Sequence, residues 1–267
     1  MKVGFVGAGR MGAPMVRRLV EAGHEVRALG RTPDKRAAVE ELGATAVTGL
    51  AQTGADAGAV VICVFSDNQV RQVCLESDLL ANMPQGSVLV VHTTGSPRTA
   101  EAVAAAAEPH GVAVLDAPVS GGPYEIAAGT LTLFVGGDEA TVSAAEPVLR
   151  SYGDPVLHVG PLGSGQKVKL VNNTLFAAQI GLVAEGVRLG NRLGVDESTL
   201  LTALPHGSAT SRALDLCARA GSASAFIAGV AEFVGKDVAV VRKIVAELGG
   251  SLQLLDDVVS AGVPESP

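Results

Sequence analysis

Apolar residues run through the first 160 positions in short unbroken blocks separated by polar, periodic stretches. The blocks at 60–65 and 88–91 have no polar alternation, as expected of strands buried on both faces of a parallel sheet. Further strands are predicted at 2–6, 25–29, 112–115, 131–135 and 156–158. Helical spacing appears at 10–22, 34–42, 69–75 and 98–110, with Gly23 well placed to end the first helix. After Gly165 the strand pattern stops. A long helix is predicted over 166–193, followed by helices at 197–204, 209–220, 225–248 and 251–260. The expected fold is an N-terminal Rossmann-type doubly wound parallel α/β sheet joined by that long helix to an all-α C-terminal domain. The boundary is expected in the glycine-rich turn at 160–165, which gives domains 1–162 and 163–267. At 1.5 Å per residue the joining helix is about 40 Å long.

Composition narrows this picture. The 267 residues supply core for one large domain or two ordinary ones. A chain with 48% hydrophobic and 18% charged residues is globular, and a net charge of −7 argues against a nucleic-acid partner. The first residues lack the apolar core and cleavage pattern of a signal peptide. The apolar stretch 168–189 contains Asn172, Asn173, Gln179, Glu185 and Arg188, which reads as a buried helix and not a membrane span. Cys63, Cys74 and Cys217 have no close pairing, and the five histidines show no metal spacing. These features lead to the expectation of a cytoplasmic protein with reduced cysteines and no metal.

Candidate chemistry begins at Gly7, Ala8, Gly9, Arg10, Met11 and Gly12. This GxGxxG follows a strand and opens a helix, the context that makes the motif a dinucleotide site. Gly7 allows the turn, Gly9 the approach of a pyrophosphate, and Gly12 close helix–strand packing. The helix N-terminus offers amides to the phosphates. The second strand ends in Gly30, Arg31 and Thr32 where an NAD-binding protein would carry a carboxylate. Arg31 and Thr32 suit a 2′-phosphate, so NADP is expected, with NAD as the alternative cofactor. Ser66, at the end of the third strand, is a candidate cofactor contact. Lys169 and Asn173 lie four residues apart near the start of the long helix and project from one face.

Five motifs in order carry a family resemblance. They are the turn at 4–12, Thr93 to Pro97, Asp116 to Gly122, the stretch 163–173, and Lys236 with Asp237. Together the chain resembles the β-hydroxyacid dehydrogenases, which include 3-hydroxyisobutyrate dehydrogenase and tartronate and glyoxylate/succinic semialdehyde reductases. The resemblance implies an oxidoreductase moving hydride between a nicotinamide and a small β-hydroxy acid or its semialdehyde. Lys169 would be the general acid/base, its pKa drawn toward neutrality by burial or nearby positive charge. Asn173 would orient substrate or lysine. Ser120, Gly121 and Gly122 would hold the substrate carboxylate through backbone amides. Thr94 would position the nicotinamide, and Lys236 would reach cofactor or substrate. Three features depart from the pattern: Tyr124, Glu125 and Ile126 beside the expected pocket, the segment before Lys236, and the end of the chain soon after Gly262. Two other readings are an imine reductase, against which Lys169 counts, and a non-catalytic NADP-binding sensor or scaffold. The apolar helices of residues 170–260 suggest a homodimer or larger homo-oligomer.

Overall fold

The computed structural model describes residues 1–247 and 249–262. Leu248, expected to end a helix, and residues 263–267, at the short end of the chain, lie outside the described residues. The chain forms two compact units, Met1–Lys169 and Leu170–Pro267.

The first unit is built on a nine-stranded sheet in the order β3-β2-β1-β4-β5-β6-β8-β7, with β9 also pairing β8. Its strands are β1 (Lys2–Val6), β2 (Glu25–Leu29), β3 (Thr45–Val47), β4 (Ala59–Ile62) and β5 (Val88–Val91), then β6 (Ala113–Asp116), β7 (Val119–Ser120), β8 (Leu131–Gly136) and β9 (Gly153–Gly160). The six strands from β3 to β6 run parallel. β8 then runs antiparallel to β6 and β7, and β9 parallel to β8, so the parallel sheet acquires a mixed edge.

The unbroken apolar blocks are buried as expected: every residue of β4 and β5 is buried. Their side chains alternate between two cores. Val61 and Val90 join Phe5, Met15, Leu19 and Leu115 on one face. Val60, Ile62, Leu89 and Val91 pack with Leu79 and Val103 on the other.

Helices α1 (Gly12–Glu21), α2 (Pro33–Glu40), α3 (Leu50–Gly54), α4 (Asp67–Leu75), α5 (Pro97–Ala107), α6 (Pro123–Ala128) and α7 (Glu139–Leu149) connect the strands. α1 buries Gly12, Met15, Val16 and Leu19, an i, i+3, i+4, i+7 stripe. Thr32, Ser66 and Ser96 cap α2, α4 and α5. The pattern reading passes over β3, α3, β7, α6 and α7. All but α7 are too short to show a period. α7 contains Pro147, which interrupts its helical signal. The block at 60–65 also yields a shorter strand than expected, because Cys63, Val64 and Phe65 form the turn at its C-terminal end.

One buried polar pair crosses this unit. His92 Nδ1 donates to the Ala117 carbonyl at 2.6 Å, and the Tyr152 hydroxyl donates to His92 Nε2 at 2.7 Å. Burial lowers the His92 pKa to about 4, so the ring is neutral and this tautomer follows from its partners.

The 29-residue helix α8 (Ser164–Arg192) starts in the first unit and continues in the second. The second unit adds α9 (Glu197–Ala203), α10 (Arg212–Ala220), α11 (Ala223–Glu247) and α12 (Leu254–Gly262). α8 and α12 cross at small residues: a side chain at Gly181 would collide with the Val258 carbonyl. The cores here are small. One gathers Ala177, Ala178, Val238 and Val259, the other Leu201, Leu214, Cys217 and Ala223. Among the described residues, no helix is long and apolar enough to cross a membrane.

Candidate active site

The glycine turn after β1 has the geometry its sequence suggests. Gly7 has φ +102°, and a side chain there would run into the Cys63 carbonyl. A side chain at Gly12 would strike the Gly7 carbonyl, which holds α1 against the strand. Gly9 faces open space. Met11, at the α1 N-cap, gives no side-chain cap. The Ala13 amide donates to the Gly9 carbonyl at 2.8 Å and Pro14 has no amide to give, so a diphosphate at this turn would meet the Gly12 amide and the positive end of the α1 dipole.

A cleft of about 520 Å³ opens along the C-terminal ends of β1, β2 and β4. Gly7 and Gly9 line it near the turn, Cys63, Val64 and Phe65 follow β4, and Arg31, Thr32 and Lys35 close the β2 end. Two cations and a hydroxyl thus meet where a ribose would lie, with no carboxylate among the lining residues. Thr32 Oγ1 accepts from the Lys35 amide at 3.3 Å, which leaves its proton to donate. Lys35 was missed because it reads as the body of α2. Lys35 and Arg31 line the same end of the cleft because Thr32, between them, caps α2.

Ser66 caps α4: its Oγ accepts from the Gln69 amide at 3.3 Å, which leaves its proton to donate, and Gln69 lines the cleft. Its neighbour Asp67 organises the loop after β5. Asp67 accepts from the Ser96 amide at 3.0 Å and the Thr99 hydroxyl at 2.7 Å. Thr93 Oγ1 donates to the Val64 carbonyl and accepts from its amide. Thr94 is half-buried within this braced loop. Gly121 has φ +134°, and Ser120 ends β7. The Gly122 amide donates to Glu125 at 2.9 Å, so the unusual residue in this segment caps α6.

Lys169 and Asn173 lie one turn apart on α8, with 9% and 8% of their surfaces exposed. Such burial is unusual for a lysine. Within the helical unit, Asn173 Nδ2 donates to Asp237 Oδ2 at 2.6 Å and Asn173 Oδ1 accepts from Asn172 at 3.1 Å. Lys236 Nζ lies 3.3 Å from Asp237 Oδ1. Asp237 therefore orients Asn173, a role readable in the sequence only as a neighbour of Lys236. Among the described residues no cluster of three His, Cys, Asp or Glu could hold a metal ion.

Residues 2–160 match the NAD binding domain of 6-phosphogluconate dehydrogenase, and 163–261 the NAD-binding domain of NADP-dependent 3-hydroxyisobutyrate dehydrogenase. A 3-hydroxyisobutyrate dehydrogenase of Pseudomonas aeruginosa is 35% identical over 80% of this chain and 72% of its own length. An NAD-dependent L-serine dehydrogenase of the same organism is 33% identical over 80% and 72%. The structure of the Mycobacterium tuberculosis 3-hydroxyisobutyrate dehydrogenase with L-serine matches with a TM-score of 0.86 at 30% identity, covering 97% of this chain and 91% of that one. These matches over both units, with the glycine turn and the nucleotide cleft, make the chain a member of the 3-hydroxyisobutyrate dehydrogenase family of NAD(P)-binding oxidoreductases acting on CH–OH groups.

Proposed function

We propose that the protein interconverts a small 3-hydroxy acid and its semialdehyde, with NADP preferred over NAD and Lys169 as the general acid/base. The observation that carries this reading is the buried Lys169, one turn before Asn173 on a helix whose start is bonded into the sheet unit. A nicotinamide held in the cleft would supply or accept the hydride. Lys169 gives a proton to the substrate oxygen in reduction and takes it in oxidation. Asn173, held by Asp237, orients the group beside that oxygen. Ser120 and Gly121 receive the substrate carboxylate, and Gly122, whose own amide is held by Glu125, shapes the turn beside them. Gly7, Gly9, Arg10, Met11 and Gly12 cradle the diphosphate, Arg31, Thr32 and Lys35 the 2′-phosphate, and Thr94 the nicotinamide. Lys236 pairs with Asp237 at 3.3 Å and so sets the charge beside Asn173. 3-Hydroxyisobutyrate and L-serine are the substrates to try first, because relatives carry those names. The retained lysine favours this chemistry over imine reduction.

Val171, Leu175, Leu182 and Leu189 are exposed on α8. At 3.6 residues per turn they fall within an arc of about 40°. We assign that stripe to a second copy of the chain, giving a homodimer. Cys63, Cys74 and Cys217 form no disulfide with one another, which suits the reducing cytoplasm.

The test is NADP⁺ reduction at 340 nm with 3-hydroxyisobutyrate and L-serine, for wild type and Lys169→Ala. The expected loss in kcat is about 10²- to 10⁴-fold. A Lys169→Ala enzyme as active as wild type would remove the lysine from the mechanism.

A further inference from the structure

Gln166 stands at the meeting point of three segments. It is 2% exposed and lies one turn before Lys169 on α8. Its Oε1 accepts from the Gly95 amide at 2.9 Å, and its Nε2 donates to the Thr93 carbonyl at 2.8 Å. The side chain therefore spans both ends of the loop that presents Thr94. Its own backbone amide donates to Asp116 Oδ2 at 2.7 Å, while Asp116 Oδ1 accepts from the Gly163 amide at 2.6 Å. Asp116 is fully buried at the end of β6. One carboxylate thus caps the first turn of α8, and one amide side chain ties that turn to the loop after β5.

The contact is built closely. Any side chain at Gly136 or Gly165 would collide with Asp116 or with backbone of this junction. Helix start, strand end and loop therefore cannot shift separately without breaking hydrogen bonds in a buried region, where unmet partners are costly. A cap alone would need only the Asp116 bonds. The two side-chain bonds of Gln166 add nothing to the cap and instead join Lys169's helix to Thr94's loop.

We propose that Gln166 is a positioning residue for the reaction: it fixes the spacing between the loop that carries Thr94 and the helix that carries Lys169. The inference rests on the roles given above to Lys169 and Thr94. Hydride and proton transfer must occur at one substrate carbon and its oxygen. A shift of about 1 Å between the groups serving them costs on the order of 10²-fold.

The test compares Gln166→Met and Gln166→Glu with wild type and Lys169→Ala. Methionine keeps the length and loses both hydrogen bonds. A protonated glutamic acid restores both, since its carbonyl accepts and its hydroxyl donates, whereas the carboxylate only accepts. Burial and the nearby Asp116 carboxylate favour the protonated form. The expected result is a kcat lower by about 10- to 100-fold in Gln166→Met, with NADPH affinity, read from its fluorescence, within about threefold of wild type. The activity of Gln166→Glu relative to wild type should rise as pH falls from about 8.5 to about 6. Gln166→Met activity within about twofold of wild type, beside an inactive Lys169→Ala, would overturn the inference and leave the lysine reading standing. A pH-independent deficit in Gln166→Glu would also overturn it, reducing Gln166 to a structural residue. An active Lys169→Ala enzyme would instead remove the reading on which the inference rests.

Discussion

The two units differ in how much polarity they bury and in how much apolar surface their main helices expose. The sheet unit buries Asp116, Gln166, His92 and Thr93 and bonds each of them to a named partner. The helical unit has cores of four fully buried residues each, while Leu182, Leu189, Leu193 and Leu254 are more than half exposed. A groove of about 410 Å³ lined by Leu182, Val183, Val187, Leu201, Leu204 and Leu214 adds to its open apolar surface. The first unit thus spends its interior on fixing geometry. The second leaves apolar surface that folding of one chain does not cover. A polar interior is tolerable only where hydrophobic cores on both faces of a sheet supply the stability, as they do in the first unit.

The largest expected effect breaks the comparison at the helical unit. Replacing Leu182 and Leu189 together by glutamate puts two charges on the exposed stripe of α8. If a second copy covers that stripe, the dimer should weaken by about 100-fold or more, read by light scattering across a dilution series. NADPH affinity should change by less than about threefold, because the residues lining the cleft all belong to the sheet unit. A wild type that is monomeric at every concentration would show that the exposed apolar stripe has another role.

The next effect concerns the sheet unit's polar interior and depends on pH. His92 is held at a pKa of about 4, against 6.5 in a free histidine, chiefly by burial. Its folded-state pKa is depressed, so below pH 6.5 the unfolded chain binds a proton that the folded chain refuses. The contribution of this site to stability is full above pH 6.5 and falls as pH drops toward 4. The total is on the order of 3 kcal/mol. Tyr152→Phe removes the donor to Nε2 and should cost about 1–3 kcal/mol at neutral pH. Urea unfolding at a series of pH values measures both. A pH-independent midpoint between 7 and 5 would show that His92 accepts its proton within the fold.

The same contrast explains what could be read from the sequence. β4, β5 and the glycine turn were legible because local pattern determines them: an unbroken apolar run, or three glycines at set spacing before a helix. The one-turn spacing of Lys169 and Asn173 was legible because it lies within one helix. The brace was not. Asp116 and Gln166 are separated by 50 residues, and the Thr93 carbonyl lies 73 residues from Gln166. No spacing rule connects residues that only the sheet order brings together. Asp237 stands out only as part of a motif with Lys236; its bond to Asn173, 64 residues away, has no sign in the sequence. Two of the missed helices, α3 and α6, are too short to show a period, and Pro147 interrupts the third, α7. The cap that Glu125 makes on the Gly122 amide required the fold of that turn to become visible.

The smallest effect sharpens the comparison inside the sheet unit, at the one part of its cleft where charges are left for a ligand. Arg31 and Lys35 line the β2 end together, with Thr32 between them. If they receive a 2′-phosphate, Arg31→Ala should raise the KM for NADP⁺ by about tenfold, the scale of one charge-assisted contact, and leave that for NAD⁺ within about twofold. Lys35→Ala should act in the same direction but more weakly, because an ammonium engages phosphate as a single point charge and not as a planar fork. Both changes lie on the surface and should leave the unfolding midpoint nearly unchanged. Equal losses for NADP⁺ and NAD⁺ would mean that Arg31 packs on the adenine, which the two cofactors share. In that case the absence of a carboxylate from the lining would no longer argue for NADP.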